Sequence, residues 1–172
     1  MAKTINPNAK VFAFEPHPYF FEILIKNIKL NALKIDAYKM AVSNFDGELC
    51  IEDYSGKTDS INVESTTLDT FIEKNGIQKI DLMKIDVETH EPMVMEGFAK
   101  YFSHFKPTLL IEILNQSVAN FIFEVVKPHD YLYFNINELG GIRQTEQIEK
   151  SDYYNYLLCS KEIALQLGLI RS

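Results

Sequence analysis

Three carboxylates each close an apolar run: Glu15 after "VFAF", Asp86 after "LMKI" and Glu112 after "LLI". In a parallel α/β sheet the crossovers bring the carboxyl ends of the strands to one edge, and ligands bind in the crevice beyond them. The three acids are therefore expected along one rim, although each alone has the plainer use of capping a helix or ending a solvated turn. Glu15 has the sharpest role, because an acid closing a βα strand accepts hydrogen bonds from ribose hydroxyls. The "PHP" that follows it, residues 16–18, removes backbone donors and holds the turn extended, which leaves the carboxylate to point into the crevice. The alternative is that Glu15 caps the helix beginning near Pro18. Around Asp86 the stretch "LMKIDVETHE" adds Glu88, His90 and Glu91. Hard oxygens at Asp86 and Glu112 suit magnesium or calcium, but the sequence supplies no complete ligand set, and no metal is expected. His17, His90, His104 and His129 are scattered without H-E-x-x-H or similar spacing, which argues against zinc.

The chain that must position these groups has 172 residues, 47% of them hydrophobic and 24% charged, which fits a single domain over residues 1–172 with a real core. Its net charge of −7 repels phosphate, so nucleic acid is a poor partner. No apolar run approaches the ~18 residues that span a bilayer, and "MAKTINPNAK" lacks the apolar centre of a secretory signal. No membrane association and a cytoplasmic location are expected. Cys50 and Cys159, far apart, read as reduced core thiols.

Turn chemistry at "NPN" and "PHP" brackets the first strand, residues 10–15. A helix follows in which Phe21, Leu24, Ile25 and Ile28 recur at helical spacing. Residues 35–44 read as a second strand. After Asp46 and Gly47, "ELCIED" and "SINVEST" alternate like half-exposed antiparallel strands. "TTLDTFIEKNG" carries a capping signature, Thr66 with Asp69, and ends at Gly76. Beyond it come the strand "IDLMKID", a helix over "EPMVMEGFAKYF", the strand "PTLLIEIL", the helix "SVANFIFEVVK", the strand "YLYFNI", a polar loop and the strand "YYNYLLCS". Alternating strands and helices predict βαβ units and a largely parallel sheet covered on both faces.

The blocks "VFAFEPHPYFFEILIKNIKLNAL", "AVSNFDGEL", "TTLDTFI", "IDLMKIDVETHEPMVMEG" and "KPTLLIEI", in this order, resemble the FkbM-type S-adenosylmethionine-dependent methyltransferases. The resemblance runs from about Val11 to Ile113. It implies the Rossmann-like class I methyltransferase fold, a mostly parallel sheet with an antiparallel last strand. It also implies methylation of a hydroxyl on a small metabolite or sugar, with S-adenosylmethionine as cofactor. By the same resemblance Glu15 and the adjoining Pro16 hold the cofactor ribose, Ala41 and Val42 lie near the adenine, and Asp86 and Glu88 face the methyl-transfer region. Asp86 is then the candidate base, with Glu88 or His90 as alternates. Lys84, two positions before Asp86, shares its strand face and helps keep it ionised.

Two departures from the family pattern carry expectations of their own. The family has "DVEG" where this chain has "DVET", so the loop loses at Thr89 a residue that adopts positive φ freely, and its path is expected to change. No glycine precedes Gly47, so the glycine-rich loop that binds the methionine part of the cofactor, with the first strand and helix, is read as missing. The "VFAFE" and "LMKID" strands are then expected to pair with each other or with a second copy as a homodimer. A catalytically inactive methyltransferase-like scaffolding domain is the competing reading. A nicotinamide enzyme is weaker still, for want of a G-x-G-x-x-G phosphate cradle.

Overall fold

A computed structural model describes residues 6, 8–53 and 59–171, so the turn read at residues 6–8 lies partly outside the described residues. The chain divides into two compact units, one ending at Thr67 and the other beginning at Leu68.

In the first unit, β1 (Phe12–Phe14) pairs in parallel with β2 (Asp36–Tyr38), Phe14 opposite Tyr38. The two rings stack with centroids 5.5 Å apart, and the Glu15 N–H continues the ladder to the Tyr38 carbonyl at 3.1 Å. The connecting helix α1 (Pro18–Leu30) starts on a proline, whose fixed φ suits a first helical turn. The expected apolar stripe of Phe21, Leu24, Ile25 and Ile28 is its half-buried face, although no residue of the helix is fully buried. Residues 35–44 are two strands rather than the one expected. A bend at Lys39 and Met40 separates β2 from β3 (Ala41–Val42), which joins another sheet. There β3 pairs in parallel with β5 (Ser60–Thr66), and β5 pairs antiparallel with β4 (Gly47–Glu52), the excursion that the Asp46-Gly47 turn announces.

The second unit opens with α2 (Leu68–Asn75). Its C-terminus is as expected: Gly76 takes φ +59° and the Ile77 N–H reaches back to the Ile72 carbonyl at 3.0 Å. Its N-terminus differs. Instead of a reciprocal cap, the Thr66 hydroxyl donates to Asp46 Oδ1 at 2.8 Å, and Asp69 Oδ2 accepts the Lys100 N–H at 3.1 Å. Asp69 thus serves the start of another helix, because the chain brings that helix's free donors within its reach.

Five strands then form a sheet in the order β6 (Leu82–Ile85), β7 (Thr108–Glu112), β10 (Asn155–Cys159), β8 (Leu132–Asn137), β9 (Gly141–Thr145). The pair β6–β7 is parallel and the other three pairings are antiparallel. This corrects the expectation of a mostly parallel sheet. β6, β7 and β8 do run in one direction, but β10 enters reversed between β7 and β8, as expected of the last strand, and β9 folds back on β8. The region read as a polar loop holds β9, whose entry turn is made by Asn137 Oδ1 accepting the N–H groups of Leu139 and Gly140, with Gly141 at φ +97°.

The predicted helix over residues 91–102 is two helices, α3 (Glu91–Glu96) and α4 (Ala99–Phe105), broken at Gly97 and Phe98. α5 (Gln116–Val126) is capped by Asn115, whose side chain accepts the Val118 N–H at 2.9 Å, and it buries Val118, Ala119, Ile122 and Val126 as one stripe. A last helix, α6 (Lys161–Gln166), was not anticipated; Ser160 caps it. Phe98, Leu109, Ile111, Ile113, Ile122 and Leu158 are fully buried and form the centre of this unit. Cys159 is buried there as expected, whereas Cys50 is exposed on β4. No helix among the described residues is long and apolar enough to cross a membrane.

Candidate functional site

The parallel register sets Ile85 of β6 opposite Ile111 of β7, so Asp86 and Glu112 emerge side by side at the same end of the sheet. This is the rim that the sequence predicts for these two acids. Glu15 follows β1, which lies in a separate two-stranded sheet of the other unit, so the expectation of one sheet edge for all three acids is met by Asp86 and Glu112 and not by Glu15. β6 is an edge strand with only Ile85 buried, less of a core strand than its apolar run implies. Lys84 forms an ion pair with Asp86 Oδ2, as its two-residue spacing predicts. Both side chains are about half exposed, so the pair adds little stability and acts mainly to hold the carboxylate in place.

Beyond Asp86 the chain makes a tight turn, with the His90 N–H bonded to the Val87 carbonyl at 3.1 Å. Glu88 and Thr89 take φ +53° and +76°. The left-handed conformation thus occurs at Thr89 even without glycine, in a β-branched residue for which it is strained. The turn brings Glu88 back over the strand ends. One carboxylate oxygen from each of Asp86, Glu88 and Glu112 lies within 4.8 Å of the others. Because the left-handed penalty is roughly 1–2 kcal/mol and glycine's extra chain entropy returns about half of it, Thr89→Gly should stabilise the protein by about 0.5–1 kcal/mol. Thermal unfolding should shift upward by roughly 1–4 °C. An unchanged or lower midpoint would mean that the threonine side chain itself holds the turn.

Sequence reasoning passed over Glu91 as a site residue. It begins α3, is fully buried, and turns back so that Oε1 accepts the Val87 N–H at 3.1 Å. Oε2 is buried with no hydrogen-bond partner, and so is Glu112 Oε2. Burial raises the Glu91 carboxyl above the usual carboxylate range against the backbone bonds that oppose it, and the charge of Asp86 adds to the rise. Burial likewise raises Glu112, followed by the charges of Asp86, Glu88 and Glu91. The four acids are therefore one electrostatic group. His90, half-buried at the N-cap of α3, is lowered by burial and is a neutral imidazole at pH 7.

In the first unit Glu15 Oε1 accepts the backbone N–H of His17 at 2.8 Å. The "PHP" turn therefore keeps one donor, and the carboxylate is engaged at the helix entry rather than left wholly to the crevice. A carboxylate has about four lone-pair sites, so one backbone bond leaves capacity for ribose hydroxyls, and the donor set fits that use. His17 is buried and caps α1. Its Nδ1 accepts the Tyr19 N–H at 3.3 Å while Nε2 meets Asp53 Oδ1 at 3.0 Å. Nothing in the sequence signals this pair, whose members are 36 positions apart. Pro16 is half-buried beside Glu15. Ala41 is buried and Val42 half-buried in β3, paired with Ser65 and Thr66.

In α/β folds ligands bind beyond the carboxyl ends of parallel strands, and Asp86 and Glu112 stand at such an end. Residues 1–145 match the methyltransferase FkbM domain, and the chain belongs to that family. The fold is similar to the crystal structure of methyltransferase FkbM from Methylobacillus flagellatus KT, with a TM-score of 0.60 and 14% sequence identity. That alignment covers 91% of this chain and 38% of the other, so the chain spans under half the length of that relative. No curated protein matches the sequence.

Proposed function

We propose that the domain binds S-adenosylmethionine and serves methyl transfer to a hydroxyl oxygen of a small metabolite or sugar. The family match over residues 1–145 carries this reading. The carboxylates at the ends of β1, β6 and β7 support it. Glu15 and Pro16 would hold the cofactor ribose, and Ala41 and Val42 would border the adenine. The bound cofactor supplies an electrophilic methyl group. What the chain's own residues must do is align the acceptor and take its proton. Asp86 is exposed at the strand end and held by Lys84, which suits it to accept a hydroxyl proton. Glu88 is the alternate carboxylate, and the neutral ring of His90 has the protonation state a base requires.

Calorimetry with S-adenosylhomocysteine tests the binding half of this reading. Residues 1–46 contain no glycine to build a loop against the amino-acid end of the cofactor. A charged end without such donors forfeits roughly 1.5–3 kcal/mol per bond, which places the expected affinity of the 172-residue chain at about sub-millimolar to millimolar. Absence of saturable heat up to about 10 mM would count against the nucleoside site. Micromolar binding would show that another segment replaces the loop.

A further inference from the structure

The sequence offered two hard oxygen ligands, Asp86 and Glu112; the structure brings in a third, Glu88, and sets a buried acid beside them. We propose that the carboxyl end of β6 and β7 is a binding site for a hard divalent cation, with Asp86, Glu88 and Glu112 as ligands and Glu91 as an adjoining buried charge. One oxygen from each of the three ligands lies within 4.8 Å of the others. A cation held at calcium–oxygen distances separates opposed ligand oxygens by roughly 4.6–5.2 Å, so the carboxylates already stand at a spacing that one ion bridges.

Glu91 supplies the independent observation. Its side chain is fully buried, its carboxylate lies against the backbone of Val87, next to Asp86, and Oε2 has no donor. A buried carboxylate oxygen without a partner is costly and is met in proteins by protonation or by a metal. Lys84 brings a single ammonium, on Asp86 Oδ2, to a rim holding four carboxylates. A divalent ion supplies the charge that one ammonium does not. Its use in catalysis rests on the methyl-transfer reading: an acceptor hydroxyl coordinated there is more acidic, and with Asp86 and Glu88 as ligands the proton would pass to the neutral imidazole of His90, the remaining alternate base.

The test is calorimetric titration of the 172-residue chain with calcium chloride and with magnesium chloride, in the absence of cofactor and acceptor, so that it stands or falls apart from methyl transfer. One saturable site per chain is expected with at least one of the ions, with Kd on the order of 10⁻⁵–10⁻³ M. The bound ion should also raise the thermal midpoint. Glu88→Gln and Glu112→Gln should each weaken binding by about tenfold or more, as loss of one charged ligand does. Glu88 is exposed, so its variant reports on the site even where Glu112→Gln fails to fold. Glu162→Gln, on α6, removes one charge elsewhere and should leave the affinity unchanged. Absence of saturable binding by either ion up to about 10 mM would overturn the proposal and leave a shared proton as the charge balance. Parent-like affinity in Glu88→Gln, or an equal loss in Glu162→Gln, would overturn it too, since either outcome means diffuse attraction to an acidic chain.

Discussion

Phe98→Ala is expected to destabilise the protein by roughly 3–5 kcal/mol, a large share of what holds a domain of this size together. Phe98 is fully buried at the break between α3 and α4, where its ring meets Phe102 at 5.7 Å edge-on and Phe105 at 6.5 Å. Its carbonyl also accepts the N–H groups of Tyr101 and Phe102, so its backbone starts α4 while its side chain fills the core. Truncation removes the ring contacts and leaves a cavity that two short helices, fixed at Gly97, have little freedom to close. Urea unfolding should show a midpoint shift of that size, whereas Leu139→Ala, at a residue 97% exposed, should change stability by less than about 0.5 kcal/mol. A Phe98 variant within about 1 kcal/mol of the parent would mean that the α3–α4 corner repacks freely.

Where the sequence pattern is periodic and capped, it anticipates the structure. The apolar face of α1 falls on the expected residues, α5 forms over the stretch read as a helix, and Gly76 ends α2 through its positive φ. β7 and β10 form over stretches read as strands, and both place residues in the core. The departures have physical causes. Residues 35–44 hold no glycine or proline to mark a break and so read as one strand, but a two-residue bend at Lys39 and Met40 sends its halves into different sheets. β9 is exposed along most of its length, so its residues read as loop; pairing with β8 makes it a strand, not burial. β6 has the composition of a buried strand yet lies at an edge, because its position depends on which strands neighbour it and not on its own residues.

The candidate site divides along the same line. That Asp86 and Glu112 share a rim was legible, since the rule for parallel strands needs only two strand ends and a helical crossover. The approach of Glu88 was not, because it depends on two successive left-handed residues, one of them a threonine, which no propensity favours. Glu91 was visible as an acid at a helix start, where a carboxylate normally faces solvent and the helix dipole. Its complete burial is a tertiary fact with no local signature.

Glu15 carries the prediction that joins fold to function, and two substitutions separate its roles. In the structure its Oε1 holds the His17 N–H at the entry to α1, so Glu15→Ala should lose a helix-entry bond and about 0.5–2 kcal/mol of stability. Glu15→Gln keeps an acceptor for that N–H and should unfold close to the parent. The ribose role distinguishes the two forms differently: it calls for an ionised group accepting from two hydroxyls, and a neutral amide offers one oxygen without the charge. The loss is roughly 1–3 kcal/mol, or about 5- to 150-fold in affinity, which takes a sub-millimolar complex with S-adenosylhomocysteine out of calorimetric reach. The expected pattern is therefore no measurable binding in either variant, with stability lowered in Glu15→Ala alone. Parent-like binding by a folded Glu15→Gln chain would assign Glu15 wholly to the entry of α1, and the nucleoside would then have to be held by groups other than the carboxylate at the end of β1.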